Sequence, residues 1–525
     1  VSQNTIEKPA QKRPLVLAID QGTTGSTVAL FSPDPATGEM KSIAQSTQEF
    51  RQIYPTPGWV EHNPEDIWKS VLTALSTTLD LAAERGYFDA AKSIAAIGIT
   101  NQRETVVCFE RKSGLPLGNA IVWQDRRTAA HCDSIKADKD WANQIRVRTG
   151  LVVDPYFSAT KIKWLMQNNS EIKNAIQAER AVFGTIDSYL CCRLTAGESF
   201  VTEPTNASRT MLVNLETADY DPELLSYFGI PRAALPSIMD SIGNFGTTRN
   251  VPGLPDGIPI SGILGDQQAA LFGQRAFASG QAKITFGTGC FILMHTGTQI
   301  VRPSIQSGLL ATIASRINGQ TTYSLEGACF IAGAAIQFLR NQLAFFGTSA
   351  ECERLAQQDP ADEAVQFVPS LAGLSAPFWN PYAKGVLFGL SRGTSQSQIT
   401  RAVLESIALQ NVPLLLEMQK ASNINLKWIG VDGGAAANGT LMQLQADLIQ
   451  RELRKPANLE ATANGAALAA WSHLEPKALL ASDTREVETI KPKMTQDEAH
   501  RAYRKWLRAV QAVDAYYTQE SDNGK

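Results

Sequence analysis

The side chains of this sequence best suited to chemistry sit where apolar β-type runs end. One run, from Leu15, ends in Ile19-Asp20-Gln21-Gly22-Thr23-Thr24-Gly25-Ser26-Thr27 before a second run at residues 28–31. Backbone N–H groups of such a turn can cradle phosphate oxygens, and threonine hydroxyls add donors. An acid at the strand end is placed to hold a hydrated Mg²⁺ rather than the phosphate itself. The same pattern also fits an ordinary hairpin with a polar turn. About half a chain later, residues 281–294 repeat the plan of strand, turn and strand, with Gly287-Thr288 matching Gly22-Thr23 and Thr285 standing for Asp20. Two such hairpins suggest an internal duplication, with two phosphate-contacting turns facing each other across a cleft. A third turn, Asp432-Gly433-Gly434-Ala435-Ala436-Ala437-Asn438, ends an apolar strand and opens a helix. Small residues there let a flat ligand approach the backbone, or simply make a tight turn. No G-x-x-x-x-G-K-[ST] occurs, which excludes a P-loop.

Other strand ends position further polar groups. Residues 94–100 form an apolar strand that runs into Asn101-Gln102-Arg103-Glu104, and residues 258–263 lead into Leu264-Gly265-Asp266-Gln267-Gln268. The carboxyl ends of buried strands are where α/β sheets bind ligands. Residues 62–86 read as a helix: Asn63 can cap it, Pro64 suits the first turn, and Glu65 and Asp66 favour the positive end. Ile67, Val71, Leu72, Leu75 and Leu79 form its apolar stripe and Gly86 stops it. Strand-like and helical patterns alternate throughout, which predicts an α/β protein.

A chain of 525 residues is too long for one ordinary core and suggests about two to four domains. With 44% hydrophobic and 19% charged residues it has a globular composition, and a net charge of −3 without basic runs gives no sign of a nucleic-acid partner. Seven cysteines without C-x-x-C and five scattered histidines give no metal-site pattern and suit a reducing, cytoplasmic compartment. No apolar run reaches membrane-spanning length, and the polar start, residues 1–14, shows no secretory signal. It reads as a flexible leader, and residues 518–525 as a flexible tail.

In register, these segments resemble the FGGY carbohydrate kinase family. The resemblance covers nearly all of residues 15–515. It is carried by Ile19-Asp20-Gln21-Gly22-Thr23-Thr24, Pro57-Gly58-Trp59-Val60-Glu61-His62, Gly98-Ile99-Thr100-Asn101-Gln102-Arg103-Glu104-Thr105 and Ala120-Ile121-Val122-Trp123-Gln124. Asp154-Pro155-Tyr156-Phe157-Ser158, Thr205-Asn206-Ala207-Ser208-Arg209-Thr210, Gly265-Asp266-Gln267-Gln268, Phe286-Gly287-Thr288-Gly289-Cys290-Phe291 and Asp432-Gly433-Gly434 complete it. The resemblance implies two actin-like, ribonuclease-H-like lobes with an ATP and substrate cleft between them: residues 15–274 with the polyol site and Mg²⁺/phosphate turn, and 275–517 with the nucleotide site. It implies ATP-dependent phosphorylation of glycerol to sn-glycerol 3-phosphate, and a homodimer or homotetramer. The glycerol pocket falls on Arg103, Glu104, Trp123, Tyr156, Asp266, Gln267 and Phe291. Their types suit a small triol: polar groups for the hydroxyls, and Trp123 and Phe291 as an apolar wall. Asp266 is the expected general base, and Asp20 and Asp266 the expected Mg²⁺ residues. Thr23, Thr24 and Thr288, with Gly25 beside them, are expected to hold the phosphates. Gly434 and Asn438, with Gly333 and Gln337 nearby, are expected to line the adenosine site.

Three departures from the family pattern stand out. Thr27 occupies the place of an arginine near the ATP phosphates, so weaker nucleotide binding is expected. Gly257 stands where some bacterial relatives carry an arginine that helps bind fructose 1,6-bisphosphate between subunits, so little inhibition by that effector is expected. Glu203-Pro204 replaces the usual acid-aromatic pair. A pentose, gluconate or other polyol kinase of the same family, and a non-catalytic nucleotide-dependent binding protein on the same fold, are the competing readings.

Overall fold

The computed structural model describes residues 14–378, 380, 382–480 and 485–523. All but Pro14 of the expected leader therefore lies outside the described residues. β1 (Leu15–Gln21) and β2 (Gly25–Pro33) form the first hairpin, and β3 (Met40–Glu49) extends it antiparallel. β2 starts earlier than the apolar pattern suggests. Gly22 N–H donates to Gly25 C=O at 2.9 Å, and a Cβ on Gly25 would lie 3.0 Å from Gln48 C=O, so the chain closes into a three-residue turn, residues 22–24. α1 (Pro64–Glu84) begins as the sequence predicts, with the Asn63 side chain accepting from Glu65 N–H and Ile67, Val71 and Leu75 buried beneath it. β4 (Ile94–Asn101) runs parallel to β1, β5 (Ile260–Gly265) runs parallel to β4, and α2 (Asp266–Gly273) follows at once. The sheet order is β5-β4-β1-β2-β3. Its central strands are covered on both faces, which is why they read as unbroken apolar runs. Truncating Ile99, 0% exposed, to Ala would cost about 2–5 kcal/mol.

The second half rebuilds the same sheet. It comprises β6 (Gln281–Phe286), β7 (Cys290–Gly297), β8 (Leu310–Ile317), β9 (Gln320–Cys329), α3 (Gly333–Asn341), α4 (Gln396–Ser422) and β10 (Trp428–Asp432). α5 (Gly439–Ile449), β11 (Leu453–Pro456), α6 (Ala461–Leu474), β12 (Val487–Ile490) and α7 (Gln496–Asn523) complete it. The order is β8-β9-β7-β6-β10-β11-β12. Its inner five strands, β9-β7-β6-β10-β11, copy β3-β2-β1-β4-β5 in order and direction, two antiparallel pairings followed by two parallel ones. The duplication inferred from two hairpins therefore extends to the whole sheet, with β8 and β12 added at its edges.

The halves are joined by helices that come unusually close. α6 lies across β1, β4, β5 and α2. A Cβ on Gly98 would lie 2.1 Å from Ala466 C=O, and one on Gly465 1.8 Å from Ala269 C=O, so only glycine permits this packing. α4 is long and apolar enough to cross a membrane by length and composition, but its most apolar stretch is 72% buried in the second core. Residues 518–523, expected as part of a tail, continue α7.

Candidate active site

The Asp20 turn is pinned from behind. Gln52 Nε2 donates to Thr23 C=O (3.1 Å), Gln102 Nε2 to Gly22 C=O (3.2 Å), and Phe50 N–H to Thr24 C=O (3.2 Å). His62 Nε2 meets Gln52 Oε1 at 2.7 Å, and burial pushes its pKa down to about 4, so a neutral ring buttresses the turn. With the carbonyls held inward, the N–H groups of Thr23 and Thr24 have no acceptor among the described residues. That is the arrangement a phosphate cradle requires.

Asp20 pairs in register with Thr27 on β2 and Thr100 on β4, so the three share a face. Burial pushes the Asp20 carboxyl up to about 8, with Asp266 and Glu460 adding repulsion. Thr100 Oγ1 is buried without a partner among the described residues. Among those residues no cluster of three or more His, Cys, Asp or Glu side chains could hold a metal ion alone. Crowded carboxylates beside an unpartnered hydroxyl instead suit Mg²⁺ held by one or two carboxylates, water and substrate phosphates.

Arg103 is the hub of the site. Its Nε lies 3.1 Å from Asp266 Oδ1, Nη1 donates to Glu326 Oε2 (2.7 Å) and Gln268 Oε1 (3.1 Å), and Nη2 to Glu326 Oε1 (3.1 Å). Three of its five N–H groups donate hydrogen bonds within the protein and Nε pairs by charge with Asp266, so Arg103 chiefly positions its neighbours. Asp266 Oδ1 accepts from Gln267 N–H (2.7 Å), which leaves Oδ2 for a reacting group. Glu104 is buried and sits at φ +62°, a left-handed conformation costly for a non-glycine residue. Its Oε1 accepts from Arg209 Nε (2.6 Å), and Arg209 Nη2 reaches Glu326 Oε1 (3.0 Å). Burial alone would raise the Glu326 carboxyl, but Arg103 and Arg209 hold it down to about 2. Trp123 and Tyr156 pack edge to face at 5.4 Å, Arg209 lies 5.5 Å over the Tyr156 ring, and Trp123 Nε1 donates to Thr23 Oγ1 (3.0 Å). The aromatic wall is thereby tied to the phosphate turn.

From the second half, Lys283, Thr285 and Phe291 share one face of the sheet with Glu326, through the pairs Thr285↔Phe291, Lys283↔Leu293 and Leu293↔Glu326. Phe291 is therefore on the side that meets Arg103. Thr288 is exposed at its turn, and Gly333 packs on Gly287: a Cβ there would lie 2.6 Å from Gly287 C=O. Gly434 is exposed with open space where a Cβ would point, as a flat ligand requires. Asn438 uses its side chain to cap α5, accepting from Leu441 N–H at 2.9 Å. Gln337 is exposed on α3, and no hydrogen bond among the described residues joins it to Gly434 or Asn438.

Sequence reasoning missed Arg209, Glu326 and Lys283 as site residues. Arg209 lies inside a segment that carried the resemblance, and Glu326 is the single charged residue of its strand, which is the signal that could have found it. The Glu203-Pro204 departure also gains a role. Glu203 caps the short helix Pro204–Ala207, and it accepts from Thr205 and Ser241 hydroxyls. Thr205 Oγ1 in turn accepts from Gly265 N–H (2.7 Å), one residue before Asp266.

Residues 15–273 match the N-terminal domain of the FGGY family of carbohydrate kinases, and residues 282–473 match its C-terminal domain. The chain is 45% identical to the glycerol kinase of Bdellovibrio bacteriovorus, across 95% of this chain and 99% of that one. It is also 45% identical to glycerol kinase 2 of Thermotoga maritima, across 94% and 98%. The crystal structure of Plasmodium falciparum glycerol kinase with ADP superposes with a TM-score of 0.86 at 33% identity, across 95% and 98%. Xylulose kinase from Lactobacillus acidophilus shares the fold (TM-score 0.81) at 22% identity, across 96% and 99%. Two lobes built on one repeated sheet, an acid at each set of strand ends and these matches along both halves agree: the chain belongs to the FGGY family of carbohydrate kinases.

Proposed function

We propose that this chain phosphorylates glycerol with ATP, giving sn-glycerol 3-phosphate and ADP. The observation that carries the reading is Asp266 paired with Arg103 and with Oδ2 unpartnered among the described residues, beside Glu104 and the Trp123–Tyr156 wall. That pocket offers acceptors and donors for hydroxyls and an apolar face for a short carbon chain. Glycerol kinases at 45% identity over nearly the full chain support the same substrate.

In this reading Glu104 and Gln267 bind glycerol hydroxyls, and Trp123 and Phe291 cover its carbons. Asp266 Oδ2 takes the proton of a primary hydroxyl while that oxygen bonds to the γ-phosphorus and the bond to the β,γ-bridging oxygen breaks, releasing ADP. The base contributes about 10²–10⁴-fold, and positioning and charge stabilisation supply the remainder. Thr23, Thr24 and Thr288 hold the phosphates, and Gly434 and Asn438 line the adenosine site. Mg²⁺, held through Asp20 and Asp266, would supply neutralising charge for the phosphates. The seven cysteines, all buried and unpaired, support a reducing cytoplasmic setting. A homodimer or homotetramer is the expected assembly, and sedimentation measures it.

A coupled ADP-release assay with glycerol, xylulose, ribulose and erythritol tests the reading. Turnover of glycerol is expected, and a pentulose turned over with glycerol inert would overturn it.

A further inference from the structure

Lys283 lies on β6 beneath the substrate pocket and is 0% exposed. Its ammonium donates to Gln267 Oε1 and to Thr285 Oγ1 (2.8 Å). Burial pushes its pKa down to about 8 while Asp432, Asp266 and Glu326 favour its charge, and no carboxylate among the described residues comes within ion-pair distance of it. Holding a buried ammonium off its acids and against neutral acceptors costs stability.

We infer that Lys283 is a positioning residue that locks the side-chain amide of Gln267 so that its Nε2 group faces the substrate pocket as a donor. An ammonium can only donate, so the atom of Gln267 that faces it must be the oxygen. The amide is planar, and fixing Oε1 inward turns the NH₂ group outward. No described residue accepts from Gln267 Nε2, and Gln267 keeps 9% of its surface open to the cleft. Without the ammonium, the acceptors left beneath the amide, Thr285 Oγ1 among them, favour Nε2 inward, so Gln267 turns over and presents an acceptor to the pocket. The same ammonium fixes Thr285, whose hydroxyl also bonds Asp432, so the lock is anchored across β6 and β10. Through Lys283 the second lobe sets the hydrogen-bond polarity of a residue on the first.

The inference rests on the glycerol reading, which wild-type turnover tests by itself. Lys283 is tested by a cycle of wild type, Lys283→Met, Gln267→Leu and the double variant, with KM for glycerol and for ATP and kcat measured for each. Lys283→Met is expected to raise the glycerol KM about tenfold, the size of one lost hydrogen bond, while leaving the ATP KM within about twofold. In the Gln267→Leu background the same change should cost under about twofold more, because the group it acts through is gone. Equal cost in both backgrounds, or a rise confined to the ATP KM, overturns the inference. Removing the ammonium also leaves Asp432 without its nearest counter-charge, so folding is followed by circular dichroism. Should Lys283→Met not fold, Gln267→Glu decides: it keeps the partner of Lys283 but replaces the donor by an acceptor. Its glycerol KM should rise about tenfold or more with the fold intact. An unchanged glycerol KM there defeats the assignment.

Discussion

At the end of β1, Asp20 stands opposite Thr100 of the adjacent parallel strand; at the end of β6, Thr285 stands opposite Asp432. The two halves thus carry one acid–threonine pair on the same scaffold with the strands exchanged. Burial raises both carboxyls, but the groups around them differ. Burial raises the Asp432 carboxyl, and the Lys283 ammonium, Thr285 and Gln274 act against that rise from within the protein. The groups acting on Asp20, Asp266 and Glu460, add to its rise instead, and the unpartnered Thr100 hydroxyl lies opposite it. A duplicated sheet has kept both acids but closed one and left the other open. In the proposed reading the open one takes a cation from solution, and the closed one is part of the frame.

The largest effect should come from the group between the two acids. Asp266→Asn is expected to lower kcat by about 10²–10⁴-fold in the ADP-release assay while glycerol binding persists. Full activity in that variant would remove its role as base. Next, Asp20→Asn should cost about 10–100-fold in activity and raise the Mg²⁺ concentration needed for half-maximal rate. Asp432→Asn should leave that Mg²⁺ requirement alone and instead lower the unfolding free energy by about 1–3 kcal/mol, read by denaturant titration. Equal shifts in Mg²⁺ requirement from the two substitutions would break the comparison.

The open acid also has a pH signature. In metal-free protein the folded state keeps the Asp20 proton to about pH 8, whereas an unperturbed aspartate releases it near 3.8. Between those values the folded state binds more protons than the unfolded one, so this group makes stability fall as pH rises, and the loss levels off above about pH 8. Asp20→Asn should therefore melt higher than wild type by a margin that grows from about pH 5 to about pH 8. A margin independent of pH would show that Asp20 is not held protonated. Millimolar Mg²⁺ should narrow the gap, because a bound cation lets the carboxylate ionise.

The sequence made the open half more legible than the closed one. The Asp20 turn, the capped helix α1, the strand ending at Arg103 and the repeat at Gly287 all announce themselves locally, through alternation, caps and glycines. Glu326 and Lys283 do not, because each is a single charged residue in a strand. Its meaning appears only when Glu326 meets Arg103 across 223 residues of chain, or Lys283 meets Gln267. Arg103 itself reads as a substrate donor from its type, yet the fold commits most of its guanidinium to Glu326, Gln268 and Asp266. The exchange of Asp and Thr between strands is likewise invisible in one dimension, since Thr285 looks like a lost acid until β10 places Asp432 beside it. Glu203 lacked a role for the same reason, and Thr205 supplies it by reaching Gly265.

The smallest effect probes the comparison most directly, by giving the open acid a cation like that of the closed one. Thr27 lies opposite Asp20 on β2, half-buried, with its hydroxyl 2.8 Å from that of Thr47. Residues paired across antiparallel strands point to the same face, so an arginine at this place would bring its guanidinium beside Asp20 and toward the phosphate turn. A partly exposed charge-assisted hydrogen bond to a phosphate predicts that Thr27→Arg lowers the ATP KM by about 2–10-fold, with the glycerol KM unchanged. The same guanidinium would favour the ionised form of Asp20, so the pH slope of metal-free stability should shrink in parallel. If the arginine instead spends itself on Asp20, the slope would shrink while the ATP KM stays level or rises. That result would mean that the open acid serves the phosphates by remaining free of any protein cation, and Thr27 would then be a residue that keeps it so.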